Sequence, residues 1–161
     1  MRLRTPIKLS LSEDIEHKIE PISIADEISS DDIERLEGVL KSARIEGRLD
    51  NQLPLGVEVE VYVGGIDESV AESNIDSELY KAENLISNLK ADGEDGIKAN
   101  REQQLEIAFD TAKADQFKED NPYIGVKINL PADDEISFTT NDYIKISDLK
   151  AVFVAQANQR D

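Results

Sequence analysis

The hydrophobic positions of this chain recur mostly at every second residue, the period of a half-buried strand. The clearest case is 57–63, where Val57, Val59, Val61 and Val63 alternate with Glu58, Glu60 and Tyr62. One face of such a strand enters a core and the other meets water. Just upstream, Ala43, Ile45, Gly47 and Leu49 alternate with Arg44, Glu46, Arg48 and Asp50. The intervening 51–56 reads Asn-Gln-Leu-Pro-Leu-Gly. Pro54 cannot donate to a ladder, and Asn51 and Gly56 tolerate turn backbone, so this segment predicts a connection or a bulged corner. If the two strands pair, Arg44 and Arg48 face Glu58 and Glu60 across the ladder.

Downstream, Leu105, Ile107 and Phe109 alternate with polar or small residues, as do Ile124, Val126, Ile128 and Leu130 before Pro131. Ile136 and Phe138 add a short strand. Ile144 and Ile146 lead into 149–155, where neither parity is polar, which predicts a strand that is central or covered on both sides. Ile19, Ile22 and Ile24 around Pro21 predict an edge strand, because proline is tolerated there.

Helical spacing is rarer. Ile33, Leu36 and Leu40 follow an acidic first turn at Asp31 and Asp32, which suits the helix dipole. Asp110 and Thr111 cap a short helix through Phe117, stopped before Pro122. The stretch 79–89 fits a helix through Leu79, Ala82, Ile86 and Leu89 and fits a strand nearly as well. Segments 64–77 and 91–100, rich in acids with Ser or Gly, predict exposed loops.

Length and charge narrow the function classes. A chain of 161 residues buries a core of its own without disulfides or metal. It carries 18 basic and 35 acidic residues, a net charge of −17. Phosphate recognition needs Lys and Arg to displace counterions, so nucleic acid is not an expected partner. No apolar run approaches the roughly 18 residues of a membrane-spanning helix, so no membrane insertion is expected. The start, with Arg2 and Arg4 but no long apolar stretch through Leu11, does not read as a signal peptide. Met1 is then either a cytoplasmic start or an addition to an excised segment. There is no cysteine, which removes thiol chemistry and Cys-bound zinc without choosing a compartment.

The reading of 43–64, with its strand, its Asn51-Gln52-Leu53-Pro54-Leu55 corner and its alternating valines, resembles β-sandwich modules of bacterial envelope and surface proteins. More distantly it is similar to the immunoglobulin-like WHy domain of late-embryogenesis-abundant proteins. The likeness covers about residues 40–156. It implies a binding or structural module and supplies no catalytic residue. The resulting expectation is a mostly β protein: an antiparallel, immunoglobulin-like β-sandwich with one or two short helices. Residues 1–161 form a single domain, with 41–156 as sandwich core and 1–40 as an N-terminal extension or extra strands.

Candidate chemistry is sparse. Nucleophile–base catalysis wants a histidine held by a carboxylate beside Ser or Cys. The single histidine, His17, lies in a polar run, and no G-x-S-x-G elbow occurs. Acid pairs for glycoside hydrolysis are too numerous to single out, and the chain has no Trp to stack on a sugar. No enzyme activity, catalytic residue or organic cofactor is expected.

Calcium is the one open cofactor class, since it takes six to eight loop oxygens. The loop near Gly96 and Glu102 imitates an EF-hand, but Ala91 and Gly93 occupy positions that need side-chain oxygens. Non-EF candidates are Asp133, Asp134 and Asp142, or Asp67, Glu68 and Asp76. Tyr62, on the polar face of its strand, is the most notable aromatic.

The functional expectation is a non-catalytic structural or adhesive module of a bacterial envelope or extracellular protein, acting with a protein partner or with neighbouring domains of a longer chain. The alternative is an acidic, cytoplasmic binder of a basic protein, of the inhibitor or immunity type.

Overall fold

A computed structural model describes residues 15–24, 35, 40–90, 97–118, 120–132 and 141–155. Among the described residues eight strands form two antiparallel sheets. One holds β1 (Ile15–Lys18), β2 (Ile22–Ser23), β4 (Glu58–Ile66), β5 (Leu85–Leu89) and β7 (Asn121–Leu130). Its order is β1-β7-β4-β5, with β2 also on β7. The other runs β6-β3-β8, made of β6 (Arg101–Phe109), β3 (Leu40–Asn51) and β8 (Ile144–Ala155). The protein is therefore mostly β, an antiparallel sandwich, and it includes a short α-helix, α1 (Ile75–Leu79).

Alternation explains the core. Val57, Val59, Val61 and Val63 are each 0% exposed; Val59, Val61 and Val63 stand opposite Ile128, Val126 and Ile124 of β7, and Val57 opposite Ile97. Ile45, Leu49, Leu105 and Ile107 close the core from the other sheet. Removing each such side chain from water stabilises by roughly 1.5–3 kcal/mol.

The corner at 51–57 sends the chain from one sheet to the other, so β3 and β4 do not pair. The pairing of Arg44 and Arg48 with Glu58 and Glu60 is thereby overturned. Arg44 instead sits 2.7 Å from Glu46 and 4.0 Å from Glu106, and Arg48 3.8 Å from Glu102. Asn51, fully buried, builds the corner. Its Nδ2 donates to the carbonyls of Leu55 and Lys98, both at 2.9 Å, and its Oδ1 accepts the Leu53 N–H at 3.1 Å.

The apolar stretch near the C-terminus also differs from its sequence reading. Among the described residues β8 has one neighbour, β3, and Val154 stands 38% exposed. A bulge explains why both parities are apolar. Between Glu46/Lys150 and Arg48/Ser147 two β8 residues oppose Gly47, and Asp148 takes a φ of 56°. The extra residue reverses the phase. Ile144 and Ile146 face the core before it, and Ala151 and Phe153 after it, opposite Ile45 and Ala43. Leu149 crowds Gly47 so closely that a Cβ there would lie 2.9 Å from its Cδ2.

The edge strand expected around Pro21 is present as β1 and β2, both on β7. His17 lies in β1 opposite Ile128. Asp110 caps the segment Thr111–Lys118 as expected, accepting the Ala112 N–H at 2.9 Å, although the segment is 3₁₀. The ambiguous 79–89 is divided: α1 ends at Leu79, a 3₁₀ turn covers Ala82–Asn84, and β5 begins at Leu85. Arg35 is helical and Leu40 opens β3; Ile33 and Leu36 of the expected helix, and the strand at Ile136 and Phe138, lie outside the described residues.

Candidate functional site

The β4–β5 connection, 67–84, folds back over the outer face of the larger sheet. What draws it there is a second apolar cluster, Tyr62, Ile66 and Leu79, packed with Val70, Ile75, Tyr80, Leu85 and Tyr123. The even-numbered positions of β4 thus bury a face that alternation alone assigns to water. Tyr62 is 4% exposed and meets the Tyr80 ring edge-on at 5.0 Å. Gly125, paired with Tyr62 across the ladder, makes room for both layers. A Cβ on it would come within 2.9 Å of Leu79 Cδ2 and 3.0 Å of Tyr80 Cε1. Asn84 finishes the connection by donating to the Glu78 and Leu79 carbonyls, both at 3.0 Å.

Beside this cluster lies a charged network. Lys127 Nζ is 2.5 Å from Glu60 Oε2, and the Tyr62 hydroxyl donates to the same oxygen at 2.8 Å. Burial opposes ionisation of Glu60, but the hydrogen bonds from Lys127 and Tyr62 outweigh it and hold the carboxyl below its ordinary value. Burial likewise works against the Lys127 ammonium, and the bonds to Glu60 and Tyr62 overcome it, raising its pKa. These groups satisfy one another at a cross-strand pair, Glu60 opposite Lys127, so their role is to hold the sheet face together.

A site with room for a ligand lies at the end of the sandwich where β4 leaves the sheet. A hollow of about 520 Å³ opens between the connection, the β1–β2 corner and the start of β7. Five carboxylates line it: Glu20, Asp67, Glu68, Glu72 and Asp76. Ile66, Val70, Ile75 and Pro21 give it an apolar lining, and its described wall contains no Lys or Arg. A second hollow of about 440 Å³ shares Ile66, Asp67 and Val70 and adds Glu78, Glu83 and Asp120. Of these acids, Glu78 is ion-paired. Lys81 lies 2.6 Å from Glu78, and Lys113 donates to the Glu83 carbonyl at 2.6 Å.

The turn that carries Asp67 is locally fixed. Its Oδ1 accepts the Ser69 N–H at 2.7 Å, while its carbonyl accepts the Val70 N–H at 2.9 Å. Hydrogen bonds from the Ser69 side chain and backbone lower the Asp67 pKa.

Of the calcium candidates, Asp67, Glu68 and Asp76 do meet around one hollow. Asp142 stands before β8 near the 51–57 corner, at the opposite end of β4, and Asp133 and Asp134 lie outside the described residues. Among the described residues no group of three or more His, Asp or Glu is arranged to hold a metal ion. Glu20 and Glu72 were not singled out from sequence. Glu72 shares the acidic connection and was open to a simple count of acids there, whereas only the sheet brings Glu20 to the same hollow.

No known family model and no curated protein matches the chain. Solved structures give distant likenesses. A latent aurone synthase (polyphenol oxidase) is 10% identical over 94% of this chain and 26% of its own, with a TM-score of 0.38. A putative glycoside hydrolase from Bacteroides thetaiotaomicron is 9% identical over 89% and 48%, with a TM-score of 0.38. A structure of infectious bursal disease virus, Gx strain, is 10% identical over 98% and 31%, also at 0.38. The chain thus spans about a quarter to a half of these neighbours, and likenesses at this level carry nothing about its function. Among the described residues no helix is long and apolar enough to cross a membrane.

Proposed function

We propose that this chain is a non-catalytic binding module of an envelope or extracellular protein, and that it engages a basic segment of a protein partner at the acidic end of the sandwich. The observation that carries this reading is the 520 Å³ hollow, with five carboxylates over apolar side chains and no cation in its described wall. Lys and Arg suit such a surface because their aliphatic stems cover apolar area while their heads meet carboxylates. The net charge of −17 adds long-range steering of a basic partner, which speeds encounter and fades with salt.

The test is binding of a fluorescent oligo-arginine peptide at low and high salt, by anisotropy. The variant Glu68→Gln/Glu72→Gln/Asp76→Asn removes three exposed carboxylates of the hollow. The control Glu102→Gln/Glu106→Gln/Asp148→Asn removes three elsewhere. The hollow variant loses roughly tenfold or more in affinity, about 1.4 kcal/mol, and the control little. Equal losses in the two variants would reduce the effect to overall charge and overturn the assignment of the hollow.

A further inference from the structure

No further inference is drawn: the strongest candidate, the apolar overhang formed by the core-side residues Ile15 and Ile22 of the edge strands β1 and β2, 41% and 36% exposed, has nothing in the structure to show what covers it.

Discussion

The hydroxyl of Tyr80 lies 2.6 Å from the carbonyl oxygen of Ile19, sixty-one residues away in sequence. It donates there and accepts the N–H of Val126 at 3.1 Å. The location matters because the edge strand is interrupted at this point. β1 ends at Lys18, opposite Lys127, and β2 resumes at Ile22, opposite Ile124. Pro21 between them has no N–H to offer. A side chain from the β4–β5 connection therefore completes the backbone pairing that the broken edge leaves open.

Tyr80→Phe keeps the ring and deletes this link. The Val126 N–H and the Ile19 carbonyl then lose the hydroxyl, at a cost of about 1–3 kcal/mol. Urea denaturation reads the loss as a lower midpoint with an unchanged slope. Hydrogen exchange at Val126 accelerates more than elsewhere in β7. An exchange rate at Val126 that does not change would show that the hydroxyl does not carry the bridge.

The same phenol sets an alkaline limit. Burial is the largest cause that pushes the Tyr80 pKa up from 10.0 to about 12. Because the folded value is the higher one, its contribution is complete below pH 10 and is lost as pH rises toward 12. Melting temperature measured across that window falls more steeply for the native chain than for Tyr80→Phe. Parallel curves would show that the phenol is not the responsible group.

Asn51→Ala removes two donors and one acceptor from a fully buried corner. Each backbone group left without a partner costs about 1–3 kcal/mol, and the sum approaches the stability of an ordinary domain. Asn51→Asp retains the acceptor for Leu53 but turns a carboxylate toward two carbonyls, so it fails as well. Circular dichroism melts check both variants. A near-native melt for Asn51→Asp would mean that the contacts to Leu55 and Lys98 contribute little.

Glu60 and Lys127 form a pair whose side chains are only 14% and 16% exposed. Lys127→Met removes the cation from the carboxylate, leaving the Tyr62 hydroxyl on it, and destabilises by about 1–3 kcal/mol, less than a fully buried pair loses. Adding Glu60→Leu restores much of the loss, which a double-mutant cycle measures. The native pair also predicts acid sensitivity. The Glu60 pKa is lowered from 4.5, so its stabilisation is present above that value and disappears as pH falls through the lower folded one. Lys127→Met flattens that acid limb; a limb of unchanged steepness would rule the pair out as its source.

The strands and their core side were legible because side chains alternate strictly along extended backbone. Val57 to Val63, Leu105 with Ile107, and Ile124 to Ile128 each announce a core face without reference to any neighbour. So does the turn chemistry of Asn51, Pro54 and Asp110, whose preferences are local. The overall charge, and with it the class of partner disfavoured, belongs to composition alone.

Pairing partners, edges and the hollow were decided only by tertiary structure, since each depends on residues far apart in sequence. Local alternation does not specify that the 51–57 corner changes sheets, so it does not reveal that the acids beside Arg44 are Glu46 and Glu106. The β8 bulge at Asp148 reverses which residues face inward, and apolar residues on both parities conceal that reversal. Tyr62 sits on the polar parity of its strand yet is buried, because the 67–84 connection brings Leu79 and Tyr80 across Gly125. The fold likewise places Glu20 and Asp67 on the wall of one hollow, and what lines a hollow from another strand leaves no trace in a residue's own sequence segment.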